Sequence, residues 1–114
     1  MAIHYNLSKV YAISDKDPDF AKQIIRLFIE EVPSEMNNIK ESIKQKDFSR
    51  VYQSAHKIKP TLDFLGMDLA YDDVIAVENW ARAKGKRKEI KDVAVSLRHR
   101  VKQTVKEMKK DFNL

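Results

Sequence analysis

The chain contains no cysteine, only two glycines and three prolines, and a single tryptophan in 114 residues. Without cysteine there is neither a disulfide framework nor a thiolate metal site, and the chain fits a reducing compartment. The shortage of glycine and proline excludes the many tight turns of a stranded sandwich and calls for a few long elements. No stretch approaches the roughly 18 consecutive apolar residues of a membrane span. The opening MAIHYNLSKV has no long apolar run behind a basic start, so no secretory leader is read there. A cytoplasmic, monomeric protein is expected.

What is present suits one small globular domain, expected to span residues 1–114. The hydrophobic share of 43% is enough for one core and too high for a disordered chain. Twenty-two basic against 17 acidic side chains give a formal net charge of +5. That excess is compatible with an anionic partner without demanding one.

Helices read out by their apolar spacing. Asn6 to Ile13 suggests a short N-terminal helix packed across the rest. Asp17-Pro18 marks a helix start, with Asp17 as cap and proline tolerated in the first turn. Ile25, Phe28, Ile29, Val32, Met36, Ile39 and Ile43 then recur at steps of three and four. Pro33 lies within this run and predicts a kink or break, because it cannot donate to the carbonyl of Ile29. Asp47 is the next cap, before Phe48, Val51, Ala55, Ile58, Leu62 and Leu65, and Gly66 fits the left-handed turn that ends such a helix. Asp68 is expected to cap a fourth helix through Ala70, Val74, Val77 and Ala81, with Gly85 beyond. The last carries Ile90, Val93, Ala94, Leu97, Val101, Val105 and Met108. Short polar joints between long helices predict an all-α antiparallel up-down four-helix bundle with a short extra N-terminal helix.

The chemistry concentrates in Gln53-Ser54-Ala55-His56-Lys57-Ile58-Lys59-Pro60. The core stripe of this helix centres on Ala55, Ile58 and Leu62, which turns His56 about 130° away, toward solvent. Lys59 and Tyr52, three residues on and four back, share its surface. Lys57 points elsewhere and adds positive potential. An exposed neutral imidazole is a usable nucleophile, and a cation one turn away can stabilise charge on a transferring phosphoryl group. A convex helix face cannot enclose a small substrate, but it can enter another protein's cleft. Pro60 should bend the helix beside the histidine.

These residues resemble the histidine phosphotransfer (HPt) family of two-component phosphorelays. The family pattern of alanine, histidine, two residues, lysine, then glycine ten residues after the histidine is met by Ala55, His56, Lys59 and Gly66. Phe28-Ile29-Glu30-Glu31-Val32-Pro33 and Asp17-Pro18-Asp19-Phe20 also resemble family segments, and the likeness covers roughly residues 5 to 83. It implies that His56 is the phosphoacceptor and Lys59 the phosphate-stabilising cation. The residue after the signature lysine is often glycine, and here it is Pro60, which bears on docking geometry.

The resemblance also places a polar residue on the fourth helix beside the imidazole. Glu78 takes that place, with Arg82 one turn beyond and Gln53 as a further candidate supporting residue. A Glu78–Arg82 surface pair is the competing reading. Arg50 and Lys57 are the candidate steering charges toward an acidic receiver, and Gly66 is structural. The implied partners are receiver domains of hybrid sensor kinases and response regulators. The chain is expected to hold no metal or cofactor of its own, with magnesium on the partner receiver. It would be a phosphotransfer intermediate rather than a stand-alone enzyme.

Two rival readings remain. Lys84, Lys86, Arg87, Lys88 and Lys91, continued by Arg98, Arg100, Lys102, Lys106, Lys109 and Lys110, could make a basic bundle that binds nucleic acid or another anionic partner. No aromatic residues interleave them for base stacking. The other is a non-phosphorylated bundle that sequesters a receiver, against which the intact His56 and Lys59 argue. Asp63, Asp68, Asp72 and Asp73 cluster without calcium-loop spacing, and His4 and His99 have no partner at ligand spacing. Tyr71 and Trp80 read as core or core-edge residues.

Overall fold

A computed structural model describes residues 3–114; Met1 and Ala2 of the expected domain lie outside the described residues. Five helices follow one another: α1 (Ser8–Ser14), α2 (Pro18–Lys44), α3 (Phe48–Phe64), α4 (Asp68–Ala83) and α5 (Arg87–Asp111). The last four form the bundle. α3 packs on α2 and α4, and α5 packs on α4 and α2, so the four helices close a ring, with α1 laid against α2. This is the four-helix bundle with a short N-terminal helix that the sequence predicts.

The helix starts follow side-chain chemistry. Asp17 accepts from the backbone N–H of Asp19 at 2.9 Å, and Asp47 from that of Arg50 at 3.2 Å, both satisfying otherwise orphaned donors. Asp68 does not cap. It is the first residue of α4, Met67 is the N-cap, and no side chain bonds there; Asp68 instead puts negative charge in the first turn. α2 and α3 both run unbroken through Pro33 and Pro60. Each proline removes one backbone bond, but buried Val32 and Met36 around the first, and Ile58 and Leu62 around the second, hold the helix against the core.

Gly66 has φ 64°, the left-handed conformation expected of it, and a Cβ there would meet the Asn6 side chain at 2.6 Å. That close approach lets the backbone N–H of Asn6 reach the carbonyl of Leu65 at 2.7 Å. The N-terminal arm is tied at a second place, where Glu107 accepts from the N–H of His4 at 2.9 Å. At the other joint, Lys84 takes the left-handed position (φ 52°) in place of Gly85. Gly85 is needed for space instead, because a Cβ would meet the Trp80 ring at 2.5 Å.

The core is one cluster drawn from every helix. Ile25, Phe28, Val51, Leu62, Leu65, Val74, Val77, Leu97 and Met108 are all buried in it, each aliphatic side chain contributing about 1.5–3 kcal/mol. Trp80 is 7% exposed and donates its ring N–H to the carbonyl of Lys86 at 2.9 Å.

Candidate functional site

α3 turns Ala55, Ile58 and Leu62 into the core, and the same rotation leaves the His56 side chain 58% exposed. The ring stands at the seam between α3 and α4. Tyr52, one turn earlier, stacks on it with centroids 5.5 Å apart and planes 12° from parallel. Arg82 of α4 holds Tyr52, donating to its hydroxyl at 2.8 Å with the guanidinium 4.9 Å from the ring centre. The imidazole therefore rests on a held surface.

Glu78 organises the seam from beneath. It is 3% exposed, a carboxylate inside the bundle wall. One oxygen lies 3.0 Å from His56 Nδ1, and the other accepts from Lys59 Nζ at 2.9 Å. Burial alone would push the pKa of this carboxyl up, but the hydrogen bonds from Lys59 and His56 prevail and hold it below the usual glutamate range. The same bond to Glu78 raises Lys59 above the ordinary lysine value. Glu78 is thus an anion and can only accept, so Nδ1 of the imidazole carries the proton. In the neutral ring Nε2 then holds its lone pair, on the side facing away from the carboxylate.

The competing Glu78–Arg82 pair is not formed, and Glu78 lies beside the imidazole, where the resemblance places it. Glu78 faces α3, and Arg82 is spent on Tyr52. Gln53 donates back to the Ser49 hydroxyl at 3.4 Å. Lys57 and Arg50 both lean on α2. Lys57 pairs with Glu35 at 3.0 Å, and Arg50 donates to Asn38 at 3.2 Å. Asn38 in turn donates to Glu35 at 2.8 Å. Burial works to raise the Glu35 carboxyl, but the bonds from Asn38 and Lys57 lower it. Sequence reasoning missed this second buried carboxylate. The signal was present, since Glu35 continues the apolar stripe three residues after Val32 and four before Ile39.

The clustered acids are dispersed in space: Asp63 pairs with Lys9 at 2.8 Å, and Asp73 with Arg100 at 3.1 Å. Among the described residues no group of three or more acidic, histidine or cysteine side chains is placed to hold a metal ion. No described helix is long and apolar enough to cross a membrane.

Comparison with known proteins agrees with the architecture. The model of the Hpt domain family matches residues 23–111, which includes α5, the helix for which the sequence offered no motif. Among solved structures, the HPT domain from the Hpt sensor hybrid histidine kinase of Shewanella superposes with a TM-score of 0.80. The match covers 95% of this chain and 92% of that one at 11% identity, a likeness of fold. No curated protein sequence matches the chain.

Proposed function

Since the chain belongs to the Hpt domain family, with its phosphotransfer role in two-component signalling, we propose that His56 is its phosphoacceptor. It takes a phosphoryl group from a receiver-domain aspartate and passes it to a second receiver. The observation that supports this reading is the contact of Nδ1 with buried Glu78 at 3.0 Å on a ring left 58% exposed. It leaves Nε2 facing solvent with its lone pair free and presents it at a convex surface.

The Nε2 lone pair attacks phosphorus in line as the bond from phosphorus to the aspartyl oxygen breaks, and that carboxylate leaves with the electron pair. No proton need be removed from the attacking nitrogen. The ring keeps its proton on Nδ1, becomes cationic, and finds the Glu78 carboxylate already in contact. Lys59 uses one of its three N–H donors on Glu78, leaving two for phosphoryl oxygens. Magnesium would be held by the receiver and would there help to neutralise charge on the phosphoryl group. Tyr52 fixes the plane of the ring, so Nε2 meets phosphorus in one orientation.

The test is phosphoryl transfer from a receiver charged on its aspartate, run as a profile across the receivers of the host. Wild type should take up label from its cognate receiver and His56→Gln should take up none. Equal labelling of the two proteins removes His56 from the reaction.

A further inference from the structure

The α2–α5 seam lies diagonally across the bundle from His56. It is the least closely packed of the four seams and opens to the surface as a groove. Two adjoining cavities of about 550 and 420 Å³ share Met36, Val95 and Arg98, so the groove is continuous. Its floor is apolar, built on buried Ile39, Leu97 and Val101, with Val95 56% exposed at the middle. Its rim is basic: Lys40, Arg87, Lys88, Lys91, Arg98 and Lys102.

We propose that this groove receives an acidic amphipathic helix from a partner protein. The charge argument is the strongest. No aspartate or glutamate lines either cavity. Among the described residues none of these six cations forms an ion pair, while Lys44, a seventh cation along the groove, pairs with Glu41 at 3.8 Å. α5 carries nine basic against four acidic side chains, a formal +5 equal to the net charge of the whole chain. Glutamates on an incoming helix would meet this rim while its apolar face covers the floor.

Shape selects the helix. The lining on α5 runs from Arg87 to Val105, which at 1.5 Å per residue is roughly 27 Å, the length of an ~18-residue helix. A third helix seated between two neighbours packs ridges into their shared groove. A bilayer fits less well, because its contact needs apolar side chains that protrude, and here they lie at the bottom of a concavity. Nucleic acid gains nothing from an apolar floor and finds no aromatic lining on which to stack. The occupant would leave His56 uncovered, so the proposal does not rest on the phosphotransfer reading.

The probe is a fluorescent ~18-residue peptide with leucine at helical spacing and glutamate elsewhere, titrated with the full chain. Its anisotropy should saturate, and amide shifts should fall on α2 and α5 and spare α3 around His56. Lys91→Glu with Arg98→Glu, and separately Val95→Asp, should each weaken binding roughly tenfold or more. All three positions are exposed, so the variants should keep their fold, checked by circular dichroism. A peptide with lysine in place of glutamate should not bind. The proposal is overturned by no saturable binding, by equal binding to the charge-reversed protein, or by shifts centred on His56. Tighter binding to phosphatidylglycerol vesicles or to duplex DNA than to the peptide overturns it equally.

Discussion

The two seams of this bundle solve opposite problems with the same kind of helix. Between α3 and α4 a single buried carboxylate is shared by an imidazole and an ammonium, and the surface around it is organised polar chemistry. Between α2 and α5 there is no lining carboxylate, the floor is apolar, and among the described residues Lys44 alone of the lining cations forms an ion pair. A satisfied polar network fixes geometry, which a reaction requires. An apolar trough with unpaired charges fixes little on its own, and offers area and sign to whatever arrives. On the readings proposed above, one seam is arranged for chemistry and the other for holding.

The sharpest way to break this contrast after loss of His56 itself is Glu78→Gln, which keeps the shape of the α3–α4 seam and removes its charge. Transfer should slow roughly 10²-fold, because a neutral amide no longer enforces the Nδ1 proton or compensates the cationic ring. Urea unfolding should show a loss of about 1–3 kcal/mol, since Lys59 and His56 lose their shared acceptor. Unchanged transfer kinetics would leave Glu78 as scaffolding alone.

Lys59→Ala should follow, slowing transfer by about tenfold with the helical spectrum intact. A rate equal to wild type takes Lys59 out of the mechanism.

Acid provides a graded version of the same test. Glu78 is held below the ordinary glutamate value, so the unfolded chain binds its proton first as pH falls. The stability it contributes is complete above the unfolded value of about 4.3 and disappears as pH drops through the lower folded value. Glu35, lowered in the same direction at the α2–α3 seam, adds a term of the same sign. Each glutamine variant should flatten its own part of the acid unfolding curve, and the double variant should flatten both. A curve of unaltered slope in Glu78→Gln contradicts the ionised network.

The smallest effect belongs to the other seam. Lys91→Glu with Arg98→Glu should change unfolding free energy by no more than about 0.5 kcal/mol and leave phosphoryl uptake unaltered. A large loss of stability would mean that those side chains are tied within the fold after all.

The contrast also explains what could be read from the sequence. Helix number, order and core faces came from apolar residues at steps of three and four, a pattern carried within each helix. His56 turned outward for the same reason, and Lys59 and Tyr52 beside it followed from helical geometry. The partner of Glu78 was not legible in this way, because local spacing favoured Arg82 while the outcome depends on how α4 is rotated against α3. The Glu35–Lys57 pair escaped for the same cause, although a charge within an apolar stripe was its visible mark. Of the kink or break expected at Pro33, the break does not occur, since one lost backbone bond is outweighed by burial on both sides. The α2–α5 groove was legible only as a basic cluster in α5. Its floor is made by two helices distant in sequence.

Glu78 has a last consequence, for the two directions of traffic at the seam. While the ring is neutral, the carboxylate and the ammonium cancel, and Arg82 beside them leaves the seam positive, which favours arrival at an acidic cleft. On the phosphoacceptor reading, a phosphoryl dianion on a cationic ring would shift the charge of the seam by about one unit toward negative relative to the empty state. The loaded carrier would then be drawn to an acidic cleft less strongly than the empty one. The bundle would reset its own attraction at each turnover without moving a helix.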